Sequence, residues 1–357
     1  MKFMSRAIAG RCGGGAHVRQ RGDRRVRDVE RGLQAMTKPK TFLTALFALL
    51  LAARVLALDI YVATNGTGDG SSWADATNSL TGAVAEVENA AGGTVFLSNG
   101  VYAGVSLSLE YTTAIIGKTG NPDDIVLVGT GDAVLIEGTD IPANVSGITF
   151  TNGGGWCPLS TVNLTDCIVS GNSGSYAGAF YFGTAVRCVF EGNTSSIGSA
   201  IGGTAALYNC LIVNNTGGTA GATDDANLWN CTISGNSGTV GGIAEAGIVY
   251  NCISFDNIGG QDGKNIREHA KYSCGSNYTG TGSITNDPLF VGSGDYRLQA
   301  GSPCINTGTN STWTTLTDTD LDGNLRRWPA NGQADMGAYE FGSQPEYLKK
   351  VFLMKSN

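Results

Sequence analysis

Basic residues are nearly missing from most of the chain. Of its 23 Lys and Arg, 12 lie between Met1 and Ala57, beside only 3 of the 30 acidic residues. The chain beyond Ala57 carries 11 basic against 27 acidic residues, a net charge of 11 − 27 = −16. Such a surface repels nucleic acid and bare polyanions and attracts cations, so nucleic acid is excluded as a partner. Histidine is as scarce: beyond Ala57 only His269 remains. No two cysteines have the C-x-x-C spacing of zinc sites. Beyond Ala57 no run is long and apolar enough to make a transmembrane helix.

The segment Met1–Ala57 differs in kind. Met36 opens Met-Thr-Lys-Pro-Lys, the apolar run 42–53 comes next, and Val55-Leu56-Ala57 places a branched and a small residue at −3 and −1. A basic segment, a short apolar core and a cleavage site after Ala57 are the parts of a secretory signal peptide. The run is too short to span a bilayer comfortably, and Arg54 interrupts it. We expect translation to start at Met36 and the protein to be secreted or held at the cell surface.

What the rest has in abundance is glycine, 53 of 357 residues, with enough apolar side chains to build a core. It is also repetitive. Cysteines fall at 167, 188, 210, 231, 252 and 274, spaced by 21, 22, 21, 21 and 22. Three residues before the first five stand Leu164, Ala185, Leu207, Leu228 and Val249. One before stand Asp166, Arg187, Asn209, Asn230 and Asn251. Five after stand Asn172, Asn193, Asn215, Asn236 and Asn257. A degenerate earlier copy places Gly147 at the cysteine position, with Asn152 five later. In the sixth copy Lys271 replaces the apolar residue.

About 21 residues suffice for three strands of 4–5 residues and three turns, at roughly 3.3 Å per strand residue. That is one coil of a β-solenoid. Leucine-rich repeats share the period but need leucines that these copies lack. Stacked coils place equivalent residues about 4.8 Å apart, so columns become ladders. The Asn columns read as turn ladders, because Asn tolerates left-handed backbone and its amide can bond to the next Asn. The cysteine column and the +2 column (Val169, Phe190, Ile212, Ile233, Ser254) read as core. Small apolar thiols suit a narrow stack, and parallel Cβ vectors suit a disulfide poorly, which favours free thiols over stacked disulfides. Cys157 and Cys304 lie outside the ladder.

Solenoid ends need covers. Asn78 or Ser79 precedes an amphipathic stretch with Leu80, Val84, Val87 and Ala91 on one face, an N-capped helix placed to close one end. Ile60-Tyr61-Val62-Ala63, then Gly68-Asp69-Gly70-Ser71-Ser72-Trp73, resembles the N-terminal motif of secreted bacterial right-handed parallel β-helix proteins. Asp287-Pro288-Leu289-Phe290-Val291, Asp295-Tyr296-Arg297-Leu298, Ser302-Pro303-Cys304-Ile305-Asn306, Asp320-Leu321-Asp322-Gly323-Asn324 and Asp335-Met336-Gly337-Ala338-Tyr339 together resemble the choice-of-anchor Q domain. The resemblance implies an all-β, right-handed parallel β-helix at the cell surface or beyond it, and implies no activity. The expected layout is a leader at 1–57, an N-terminal cap and first coils at 58–111, coils at 112–279, a C-terminal cap at 280–342 and a tail at 343–357.

Chemistry has one route into this chain. Seven residues before successive cysteines stand Ser160, Tyr181, Gly203, Asp224, Glu245 and Arg267. Six before stand Thr161, Phe182, Thr204, Asp225, Ala246 and Glu268. In register, Asp224, Glu245 and Arg267 would share a face with Asp225 and Tyr181, and with Lys264 and His269 in the last coil. Stacked carboxylates repel unless a cation lies between them, and Arg267 or Ca²⁺ would serve. A solvated, charge-balanced face is the plain alternative. A second candidate is Asp318-x-Asp320-x-Asp322-Gly323-Asn324, the first half of a weak calcium loop; its twelfth position holds Pro329, not Glu, which favours a polar turn closing the C-terminal cap.

Two functions come out of this inventory. One is a non-catalytic protein binding extracellular polysaccharide or cell-surface glycan, with Tyr181, Asp224, Asp225 and Glu245 as contacts. The other is a calcium-assisted polysaccharide lyase with Arg267 or Lys264 as base; paired-carboxylate hydrolysis by Asp224 or Asp225 with Glu245 is a weaker variant.

Overall fold

The computed structural model describes residues 57–139, 141–243, 247–259, 269–292, 294–310, 318–327, 329 and 332–343. Its strands form three long parallel sheets. One of ten strands runs from Leu58–Val62 to Ala270–Lys271, one of nine from Gly100–Ala103 to Cys274–Gly275, and one of five from Leu107–Leu109 to Ser199–Gly202. Each coil gives one strand to each sheet while that sheet lasts. Leu164 pairs with Ala185, then Leu207, Leu228, Val249 and Ala270 continue the row, one coil at a time. The chain is an all-β parallel solenoid with the period its sequence carries.

Three corners per coil explain the composition. At each corner one residue takes left-handed backbone. Gly147, Asp166, Arg187, Asn209, Asn230, Asn251 and Tyr272 turn the first, at φ between 50° and 67°. Asn152, Gly171, Gly192, Asn214, Gly235 and Asp256 turn the second, and Thr161, Phe182, Gly203 and Asp225 the third. The Asn column one residue before each cysteine is therefore a corner column. Its amides bond between coils, Asn251 to Asn230 at 3.0 Å and Asn230 to Asn209 at 3.1 Å. Upstream, Arg187 replaces the amide and grips Asp166 through two bonds of 2.7 and 2.8 Å.

The second Asn column works differently. Asn172, Asn193, Asn215, Asn236 and Asn257 each follow the left-handed residue and turn their amides inward. Each Nδ2 but the last donates to the Oδ1 of the next rung at 2.9–3.0 Å. From Asn193 onward each Oδ1 also accepts the backbone N–H of the rung before it. The first four rungs are fully buried, so the ladder satisfies polar groups that water cannot reach.

Inside, Cys167, Cys188, Cys210, Cys231 and Cys252 form a buried stack of free thiols. Each donates weakly to the carbonyl two residues back, at 3.2–3.4 Å. Val169, Phe190, Ile212, Ile233 and Ser254 are buried beside them. Two rungs differ from the sequence count. Thr149 pairs with Ile168, so Ile148 holds the position before Cys167, and Gly147 is its corner residue. At the far end Cys274 pairs with Ile253, so the sixth rung is Ser273, whose Oγ accepts the Cys252 N–H at 3.0 Å. The one extra residue in the last interval moves Cys274 off the ladder.

The N-terminal helix is Leu80–Asn89. Ser79 caps it, accepting the Gly82 N–H at 3.0 Å. Leu80, Ala83, Val84 and Val87 are buried against the first strands; Ala91 lies past the helix, exposed and left-handed at φ 62°. At the other end Tyr278 is buried over Gly275, where a Cβ would sit 2.7 Å from its ring.

The C-terminal segment is less an end cap than a return along the side. Phe290–Gly292 and Asp295–Leu298 form an antiparallel pair. Beyond it, Thr309 bonds Asn251 in both directions at 2.7 and 2.8 Å, Ala338 N–H donates to Thr232 Oγ1 at 2.9 Å, and Thr319 accepts from Arg187 at 3.3 Å. This cover buries the Asn251 and Asn230 corner.

Candidate functional site: an aromatic ledge

Parallel pairing fixes one outward column. Ser108 pairs with Glu137, Glu137 with Ser160, Ser160 with Tyr181, and Tyr181 with Gly202. Ile201 bridges Thr223, so Asp224 continues the column. The sequence count is right for Ser160, Tyr181 and Asp224 and off by one at Gly203, which with Phe182 and Asp225 belongs to the neighbouring corner column.

Tyr181 is the hub of a cluster of rings. Trp156, Tyr176 and Phe182 meet it edge-to-face at centroid distances of 5.0, 5.4 and 4.2 Å. Trp156 is 37% exposed, Tyr176 51% and Phe182 40%, and Ile197 beside them 65%. The loops place them in line: Tyr176 N–H donates to Trp156 O at 3.0 Å, and Ile197 N–H to Ser175 O at 3.0 Å. Isolated exposed rings are ordinary, but four apolar side chains gathered on consecutive coils mark a contact surface.

Two glycines let the rings lie down. A Cβ on Gly202 would stand 3.0 Å from the Tyr181 ring, and one on Gly203 3.0 Å from Phe182. Gly203 also has φ +67°. The coil after Tyr181 thus has no side chain where the rings extend over it.

Carboxylates flank the ledge. Glu137 is exposed two coils to one side; two coils to the other, Asp225 is exposed and Asp224 half-buried, its N–H donating to Ile201 O at 3.0 Å. Burial among its neighbours raises the Tyr181 phenol above its ordinary value, with Tyr176 and Asp225 adding to the rise. The phenol stays a neutral donor. Beneath, Cys157 is fully buried, its thiol pushed above the usual range by burial. From Glu137 to Asp224 the column takes four coil steps, roughly 19 Å.

The structure thus gathers Tyr181, Asp224 and Asp225 on one side, as their spacing predicts. Glu245, Lys264, Arg267 and Glu268 lie outside the described residues. His269 is exposed at the edge of the strand Ala270–Lys271. The expected calcium loop is not assembled as one. Asp320 turns inward, accepting N–H groups of Asn324 at 2.6 Å and Glu340 at 2.9 Å. Asp322 turns outward to hold Arg297 through two bonds of 2.7 Å. Asp318 is exposed, and its backbone carbonyl accepts the Arg326 N–H at 3.1 Å. Among the described residues no three His, Cys, Asp or Glu side chains are grouped to hold a metal. The loop's acidic residues close the C-terminal segment instead.

A second row of rings, Tyr208, Trp229 and Tyr250, runs up the outer face of the ten-stranded sheet. Tyr208 and Trp229 stack at 4.6 Å and 6°, and Lys271 lies 5.8 Å from the Tyr250 ring centroid. Tyr208, Trp229 and Tyr250 are half-buried, whereas Trp156, Tyr176 and Phe182 are exposed, so this row is less open to a ligand than the ledge.

Trp156, Tyr176 and Glu137 carry no signal in the cysteine register. Trp156, Tyr176 and Ile197 recur at intervals of 176 − 156 = 20 and 197 − 176 = 21, which is the coil period read from a different phase.

No protein-family model matches the chain, and no curated protein does. Among solved structures, the crystal structure of a pectate lyase, Pel9A, matches over 79% of this chain and 96% of its own, with 13% identity and a TM-score of 0.42. That likeness extends to the fold alone.

Proposed function

We propose that this protein is exported and binds glycans along its side without acting on them, with the Tyr181 ledge as the binding surface. The observation that carries the reading is the exposed group Trp156, Tyr176 and Phe182 held around Tyr181. Aromatic faces take the apolar face of a sugar ring, while carboxylates accept its hydroxyl protons. Glu137, Asp224 and Asp225 would offer such acceptors on either side of the rings, and a ledge of roughly 19 Å suits an oligosaccharide. Export is supported by the leader-like segment ahead of Ala57. Among the described residues no helix is long and apolar enough to cross a membrane.

A glycan array probed with the wild type and with Tyr181→Ala tests the reading. Tyr181 supports three other rings, so its loss should abolish the wild-type hits while circular dichroism still shows the folded β-solenoid. An array with no hits, or hits retained in full by Tyr181→Ala, would refute it. Incubation of each hit with the protein should release no product.

A further inference from the structure

We propose that Cys274 and Cys304 form a disulfide that staples the C-terminal segment to the last coil. Cys274 has left the internal ladder: it pairs with Ile253, and Ser273 takes the rung. It belongs to a second apolar cluster with Ile253, Leu298, Cys304 and Met336, apart from the main core. Both cysteines are fully buried there as free thiols in the same small cluster. The Cys274 thiol donates to Asn286 O at 3.1 Å. Cys304 is held by its own backbone, which takes the Met336 N–H at 3.0 Å and donates to Ser302 Oγ at 3.1 Å.

This pair differs from the stacked thiols in origin. Ladder cysteines come from parallel coils and point the same way, which suits an S–S bond poorly. Cys274 comes from the last coil and Cys304 from the C-terminal segment, and the two meet in one cluster, free of that parallel stacking. The bond would close a loop of 304 − 274 = 30 residues, limiting how far an undocked segment can wander.

The oxidant is a disulfide such as oxidised glutathione. One cysteine thiolate attacks its S–S bond, giving a mixed disulfide and one glutathione thiolate. The second cysteine thiolate then attacks the mixed disulfide, forming the Cys274–Cys304 bond and expelling the second glutathione thiolate. Two electrons pass to glutathione, and the protons lost by the two cysteines end on its thiols. Contact with Cys274, together with burial, holds the Cys304 thiol well above its usual range, so exchange belongs to folding, before the segment docks.

The full chain, refolded with oxidised glutathione, is alkylated under denaturing conditions and digested without reductant. The expected product is one linked peptide pair carrying Cys274 and Cys304, with Cys12, Cys157 and the five ladder cysteines alkylated. Separate alkylation of Cys274 and Cys304, or linkage of either to a different cysteine, would overturn the proposal. Limited proteolysis gives a second reading. Reductant should expose the segment after Cys304 to cleavage in the wild type, and Cys304→Ser should be cut alike with or without reductant. Equal cleavage of oxidised and reduced wild type would count against the staple. The peptide map of the wild type stands even where Cys304→Ser fails to fold.

Discussion

A single amide shows how much this fold asks of one residue. Asn215 accepts from the Asn193 backbone and side chain and donates to Asn236 Oδ1 and Phe190 O, all at 2.9–3.0 Å and out of water. Asn215→Ala strands several buried partners, at a cost of about 3 kcal/mol. Asn257, at the end of the ladder and half-buried, should cost about 1 kcal/mol when changed to Ala. Urea unfolding of the two variants measures the difference. The Asn columns are legible in the sequence because a buried or corner amide must recur at every coil. Cys274 misleads for the same reason: a cysteine one period on looks like a rung, and only strand pairing shows that it has crossed to the outer face of its sheet. The Asp318–Asn324 spacing suggests convergent carboxylates. A spacing cannot reveal that Asp320 turns in to backbone donors and Asp322 out to Arg297.

At the scale of elements, the coil is written in the chain and its covering is not. Three strands and three left-handed corners per period follow from alternation and from Asn and Gly columns, which are local. The C-terminal segment docks through non-local bonds that leave no periodic trace. Its principal attachment is Asn251, which bonds Thr309 in both directions and accepts the Gly337 N–H on its carbonyl. Asn251→Ala should loosen that segment without unwinding the coils. Hydrogen exchange should rise about tenfold or more in 304–310 and 334–338, a loss of about 1.4 kcal/mol, and stay unchanged in the strands Leu207 and Leu228 belong to. The ledge is half legible. Tyr181, Asp224 and Asp225 fall out of the cysteine register, whereas Trp156 and Tyr176 sit on loops whose phase that register does not track.

For the whole molecule, acidity acts on the C-terminal segment. Asp320 and Asp335 are buried with Glu340 around Arg326, whose guanidinium donates to Asp335 O at 2.8 Å and lies 3.9 Å from Glu340. Burial raises both aspartates above the ordinary carboxylate range, against the pull of backbone donors and Arg326. A carboxyl raised on folding adds stability that is complete below its unfolded value and is lost as pH climbs through its folded value. The segment should therefore resist proteolysis best below about pH 4 and grow more labile as pH climbs through the raised values of the two aspartates, and Asp335→Asn should flatten that dependence. The strong negative charge of the chain beyond Ala57 adds self-repulsion in the same direction. The ledge, and not the row of stacked rings on the ten-stranded sheet, is the surface proposed to meet the ligand. Calorimetric titration of the best array hit into wild type, Trp156→Ala and Trp229→Ala tests it most directly. Trp156→Ala should lose about tenfold or more in affinity, about 1.4 kcal/mol, and Trp229→Ala should keep wild-type affinity. Unchanged binding by Trp156→Ala, or loss confined to Trp229→Ala, would contradict it.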